Sequence, residues 1–273
     1  MTMLRRMAGV WLPAYAALYV AFLYLPVLLL PVFSVNTAAT PRFPLQGYTL
    51  KWYEDLPHTP ALLDAARNSL VVGISAALLA TVLGICAARA ITRYRFPARQ
   101  PIQGLIMAPL VLPEIIVAVS MLIVLLQLGL SLSLFTVVIG HVLVCIPYSM
   151  TVLTAGFEGF DRSLEEASAD LGETAFGTFR RVTLPMVAPA IVSSLLVSFT
   201  ISLDEFIMAF FLTGTEVTLP VYIWGQLRFA AKLPSVLALG TLLLAGSIIL
   251  LSAAELFRRR AERRTQAASI PLA

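Results

Sequence analysis

Four ionisable side chains lie well inside apolar runs of this 273-residue chain: Glu114, His141, Asp204 and Glu205. At the centre of a membrane-spanning helix each such group costs roughly 2.5 to 3.5 kcal/mol on insertion scales, so each needs a partner or a task. Three of the four are carboxylates, and in a poorly screened cavity carboxylates attract a cation. The same region adds hydroxyls at helical spacing. Ser194, Ser198 and Glu205 fall on one stripe, and Ser193, Thr200 and Asp204 on the adjoining one. Such a face suits a helix that lines a polar path or a subunit interface. Pro109 and Pro113 stand just before Glu114, and a proline frees backbone carbonyls that can turn to a cavity. The candidate path residues are therefore Glu114, His141, Ser198, Thr200, Asp204 and Glu205. A plainer reading stays open: Asp204 and Glu205 as hydrogen-bonding glue between neighbouring helices, and His141 as a neutral hydrogen-bonding imidazole.

A second charged locus runs from Glu165 to Pro185 and reads EEASADLGETAFGTFRRVTLP, between two long apolar blocks. Ser163 followed three residues later by Glu166 has the spacing of a capping box, which predicts a short helix starting there. Gly172 can take the left-handed conformation that ends it. A second short helix is expected over 174–183, before Pro185 opens the next apolar run. This helix-turn-helix would carry Leu171, Ala175, Phe176 and Phe179 near its tip, and apolar side chains in an aqueous loop call for a covering partner.

Catalytic patterns are missing. The chain has no HExxH, no GxSxG and no GxxxxGKS or GxxxxGKT, and its two His and two Cys (Cys86 and Cys145) form no ligand-spaced set. The expectation is a non-catalytic chain that holds no metal and no cofactor of its own.

The elements that must position these residues are membrane helices. Hydrophobic residues make up 59% of the chain and charged residues 12%, against about 25% charged in soluble domains. Six runs reach the roughly 20 apolar residues that a spanning helix needs: 7–35, 69–91, 102–128, 132–157, 186–212 and 234–257. The alternation of a barrel strand is absent, so the fold class expected is all-α, a polytopic membrane protein with six transmembrane helices in one domain. The first run is too long for a signal-peptide core and reads as an uncleaved span. Fourteen of the 19 basic residues flank one set of span ends and five the other. That asymmetry places both termini and the 158–185 loop in the cytoplasm. The charges form no single stripe, so the net charge of +4 does not suggest nucleic-acid binding. In the outer loop, Trp52 and Tyr53 suit the membrane interface.

The 166–185 segment resembles the EAA loop of ABC importer permeases. The family pattern falls on Glu166-Ala167-Ser168, Gly172 and Val182-Thr183-Leu184-Pro185, with Ser168 for the second Ala and Val182 for Ile. Ser202-Leu-Asp-Glu-Phe206, Phe211-Leu-Thr-Gly-Thr215, Leu219-Pro220 and Pro109-Leu-Val-Leu-Pro-Glu114 are similar to the spermidine/putrescine-type permeases, as are Trp52-Tyr53 and Asn68-Ser69-Leu70. The similarity is greatest to the second permease subunit of that group. Related permeases for other amines, opines, phosphonates and ferric iron share such motifs. The resemblance implies a type I importer permease fold, and docking of two copies of a separate ATPase subunit on Glu166, Ala167, Ser168, Leu171, Gly172, Ala175, Phe176 and Pro185. ATP and Mg would be bound by that ATPase. It further implies a second, different permease subunit and an extracytoplasmic substrate-binding protein. The rivals are a secondary carrier, which has no use for such a loop and would be expected to carry inverted repeats, and a membrane enzyme.

Overall fold

A computed structural model describes residues 2–38, 40–159, 161–246 and 248–249, with side chains from residue 11 onward. The chain divides into two compact units, Met1–Pro60 with Gly225–Ala273, and Ala61–Trp224. Among the described residues there are helices and one isolated bridge, Asn36 to Tyr48, and no strand.

In the first unit, α1 (Thr2–Ser34) stays helical through Pro13, Pro26 and Pro31. Most side chains of its Trp11–Ser34 span are exposed, Trp11, Leu18 and Phe22 among them, while Ser34 at its end is buried. Such a helix needs lipid or another subunit around it. The chain then folds back through α2 (Lys51–Asp55). Trp52 Nε1 donates to the Asn36 carbonyl at 2.9 Å, and the Tyr53 and Ser34 hydroxyls meet at 2.5 Å. Trp52 and Tyr53 are half-buried against their own chain, so their polar tips close a turn. The expected run 234–257 begins as an apolar helix, Ala230–Gly246; its last residues and the basic C-terminal cluster lie outside the described residues.

The second unit holds α3 (Pro60–Arg93), α4 (Arg99–Val111), α5 (Glu114–Gln127) and α6 (Leu134–Glu158). Then come α7 (Ser163–Asp170), α8 (Ala175–Thr178), a π-turn (Phe179–Thr183) and α9 (Leu184–Met186). It ends with α10 (Ala188–Asp204), α11 (Ile207–Leu212) and α12 (Leu219–Gln226). α3 starts well before the expected residue 69, because Pro60 is well placed in a first helical turn. Pro147 sits inside α6 without ending it.

Two expected spans are not single straight helices. Residues 102–128 split into α4 and α5, bent by 107°. Pro113 drives Leu112 out of the helical region, to ψ 144, as the residue before a proline is generally driven. Residues 186–212 split twice: a 69° bend separates α9 from α10, and Glu205, extended at ψ 109, separates α10 from α11. Among the described residues, three helices are long and apolar enough to cross a membrane, Trp11–Ser34, Pro60–Arg93 and Leu134–Glu158; counting each bent pair as one span gives five.

α3, α6 and α10 form the centre of this unit. Val187 with Met150, Leu153 and Phe157 packs one end, and Val72, Val137, Met208 and Leu212 the other. Glycines permit the close approach: a methyl group at Gly84 would meet the Ser149 side chain, and one at Gly156 would meet Ala190. Small residues at membrane helix crossings bring backbones near enough for hydroxyls to bond across.

Candidate functional site

The 158–185 loop is built by local chemistry. Asp161 accepts from the Ser163 N–H at 2.9 Å, and that bond holds its carboxyl below the usual carboxylate range. The expected Ser163–Glu166 capping box does not form. Ser163 is already the first helical residue, with Arg162 at the cap, and the ionised Asp161 takes the N–H. Glu166 instead pairs with Arg162 at 3.1 Å, both well exposed, an arrangement worth little by itself. α7 ends as expected. Gly172 has φ +87, its N–H donates to Ala169 O and that of Glu173 to Ser168 O, the paired bonds of a Schellman motif. Thr174 starts α8 by accepting from the Gly177 N–H at 3.1 Å, and the Ser168 and Thr178 hydroxyls lock the two helices at 3.0 Å.

The result is a rigid tip with an apolar crown. Leu171 is 89% exposed and Phe176 73%, with Ala167, Ala175 and Glu166 exposed beside them. An open groove runs along Leu164, Ala167, Leu171, Gly172 and Val182. Two expected members are placed elsewhere. Ser168 is half-buried, bonding within the loop. Phe179 leaves the tip and lies 4.2 Å under the Arg89 guanidinium of α3. Pro185 is exposed within α9 and does not open the span; α10 begins beyond the bend, with Pro189 in its first turn.

Sequence reasoning missed the residue that anchors the loop. Glu165 Oε2 pairs with Arg93 Nε at 2.9 Å, with both side chains largely buried, and its Oε1 accepts from Thr183 Oγ1 at 2.6 Å. Arg93 also donates to the Phe157 carbonyl at the end of α6, at 3.1 Å. Nothing local marks Glu165 as the buried member of the Glu165-Glu166 pair, since its partners come from distant parts of the chain.

The path candidates separate along the two stripes of α10. The first stripe is enclosed. Ser194 bonds to Thr81 at 3.1 Å and Ser149 at 2.8 Å, Cys145 Sγ donates to the Ser198 carbonyl, and His141 Nδ1 meets Ser202 Oγ at 2.7 Å. His141 and Ser198 therefore sit inside the α6–α10 seam. The second stripe, Ser193, Thr200 and Asp204, faces outward. Thr200 bonds back to Leu196 O at 2.9 Å, which leaves the end of the stripe to Asp204. Glu205, 8% exposed, closes the break by accepting from the Met208 N–H at 3.0 Å, and its carboxyl comes within hydrogen-bonding reach of Glu114. The structure thus brings together Glu114, at the start of α5, and Glu205, at the start of α11. Phe206 lies against Phe210 and Trp224 in tilted pairs, with ring centroids 5.4 Å apart in each. The outer loop is tied to α3 by Asn68, donating to Val217 O at 3.0 Å, and Ser69, accepting from the Leu219 N–H at 2.7 Å. No group of three or more metal-ligating side chains occurs among the described residues.

Residues 80–263 match the family described as the binding-protein-dependent transport system inner membrane component. Over 242 residues the chain is 34% identical to the spermidine/putrescine transport system permease protein PotC of Escherichia coli (strain K12), covering 88% of this chain and 90% of that one. Over 231 residues it is 35% identical to the putrescine transport system permease protein PotI of the same strain, covering 82% of each. Among solved structures, a bacterial ABC transporter involved in the import of the acidic polysaccharide alginate superposes with a TM-score of 0.75 over 93% of this chain and 98% of that one, at 17% identity. The same type of transporter in complex with alginate pentasaccharide-bound periplasmic protein superposes with a TM-score of 0.66 over 93% and 96%. At that identity the agreement is one of fold.

Proposed function

This chain belongs to the binding-protein-dependent transport system inner membrane components, and from that premise we propose that it passes a small cationic substrate, a polyamine, across the membrane. It is a multi-pass permease subunit and the chemistry of ATP hydrolysis is not its own. ATP and Mg are bound by an ATPase subunit, two copies of which serve the complex. A second permease and an extracytoplasmic substrate-binding protein complete it. Both termini and the 158–185 loop face the cytoplasm, the side favoured by the basic residues.

The observation that carries this reading is the crown of Leu171 and Phe176 on a loop whose shape is fixed without them. Two large apolar side chains held in water on a pre-organised scaffold fit a partner surface. Ala167 and Gly172 beside them allow that surface to come close. At the other end of the helices, Asp204 faces outward and the Glu114–Glu205 pair stands at two helix breaks. Carboxylates so placed suit an ammonium group better than a sugar or an anion. PotC and PotI, permeases of spermidine/putrescine and putrescine transport systems, agree with that class. The alginate importers show that the fold itself does not set the charge of the cargo.

The test is uptake by proteoliposomes holding this chain with its co-purified partners and their binding protein. ATP-dependent accumulation of labelled spermidine or putrescine is expected. Complexes that contain the ATPase and transport an anion or a sugar, but no polyamine, would refute the substrate class.

A further inference from the structure

The docking loop joins the membrane core covalently at both ends, to α6 just before α7 and to α10 through α9, and the second junction is bent by 69° at Val187. A bend at a helix junction is where a push on the loop would be absorbed as a change of angle. The structure adds a non-covalent route that bypasses this bend and reaches α3, which neither junction touches. Glu165 on α7 reaches Arg93 at the end of α3 at 2.9 Å, and Arg93 reaches the last turn of α6 through the Phe157 carbonyl. The other Glu165 oxygen takes the Thr183 hydroxyl at the end of the π-turn. One turn back along α3, Arg89 covers Phe179 at the start of that π-turn. Both arginines lie on one face of α3, four residues apart.

Resting on the docking role given to the loop above, we propose that Glu165 is a positioning residue that couples ATPase movement to α3 and α6. It works as a strut in which one carboxylate ties the docking loop, the π-turn and the inner end of α3 into one body. The exposed neighbour Glu166, paired with Arg162, is not part of it. The ion pair is enclosed enough, at 13% and 16% side-chain exposure, that water does not screen it as it screens a surface pair. A π-turn is a strained insertion often found where a helix has a mechanical or chemical task. Here it places Thr183 beside Glu165.

The experiment compares the full complex in proteoliposomes with the variants Glu165→Gln, Arg93→Gln and Glu166→Gln. Three quantities are measured: ATPase subunit retained on purification, ATP hydrolysed and substrate imported. Glu165→Gln keeps the volume and an acceptor for Thr183 and removes the charge. The expected result is wild-type retention of the ATPase with substrate imported per ATP lowered roughly fivefold or more for both Glu165→Gln and Arg93→Gln, the lower bound of typical coupling between sites. Glu166→Gln, on the docking face, should instead lower the ATPase retained. A wild-type ratio in both strut variants would overturn the proposal. So would loss of the ATPase from Glu165→Gln, which would make Glu165 a docking contact. Failure of the docking reading itself shows separately, as a wild-type chain that retains no ATPase.

Discussion

Leu171→Ala isolates the docking contact from the stability of the permease. Leu171 is 89% exposed, so truncating it removes almost no contact within the chain, and its own stability should change by less than about 0.5 kcal/mol. Covered by a partner, the lost methine and two methyl groups are worth roughly 0.8 kcal/mol each when fully buried, or about 2 kcal/mol together under nearly complete cover. With a tenfold change for every 1.4 kcal/mol, ATPase affinity should fall by about 30-fold. The assay is a titration of the isolated ATPase onto the permease complex in nanodiscs, with the thermal midpoint of the permease followed in parallel. Phe176→Ala should behave alike, and the double variant should fall short of the sum, because neighbouring contacts are not additive. Leu105→Ala is the control: Leu105 is 75% exposed on α4, outside the loop, and its truncation should leave affinity unchanged. If Leu171→Ala and Phe176→Ala both bind within twofold of wild type, the crown is not the docking surface. If Leu105→Ala weakens binding as much, the effect is general apolarity and the reasoning fails equally.

Gly172→Ala meets no atom within 4 Å but must hold φ +87, at about 1–2 kcal/mol for a residue with a Cβ. Gly172→Arg adds bulk to the same strain, so the excess loss of ATPase binding in Arg over Ala measures how closely the partner approaches; equal losses would mean that strain alone acts. Asp204→Asn and Glu205→Gln should each slow uptake at limiting polyamine while the complex still assembles. Glu205→Gln retains an oxygen to accept the Met208 N–H, and normal uptake by both variants would remove the carboxylates from the path. Gly156→Val should force α6 and α10 apart at Ala190 and cost about 1–3 kcal/mol. A detergent melting temperature equal to wild type would show that the seam is looser than the geometry indicates.

Much of the fold was legible because its causes are local. Apolar length marks a membrane helix wherever it occurs, since lipid leaves the backbone no partner outside the segment. Hence α6 is close to its expected place and α3 contains its expected run. Gly172 was legible for the same sort of reason, as the left-handed residue ends the helix through its own neighbours. The broken spans were half legible: Pro113 announced the α4–α5 bend, but no proline or glycine lies in the 202–208 run that breaks at Glu205. That break is held by a side chain capping α11 and by the approach of Glu114 from another helix.

The two stripes of α10 show the limit most clearly. Periodicity places Ser198 and Glu205 on one face and Thr200 and Asp204 on the next, and it cannot say which face meets α6. Only packing decided that Ser194 and Ser202 bond within the helix seam, with Ser198 buried between them and His141 at its centre, while Asp204 looks outward. Glu165 and Glu166 repeat the lesson in two adjacent letters. The sequence by itself determined an all-helical membrane chain, a charged loop of defined spacing and a set of costly carboxylates inside apolar runs, because hydrophobic length, charge and turn chemistry act over a few residues. Which carboxylate is enclosed, which face is free and which arginine grips the loop were decided by tertiary structure alone. Those choices depend on atoms that meet across the fold, and no short stretch of chain contains both partners.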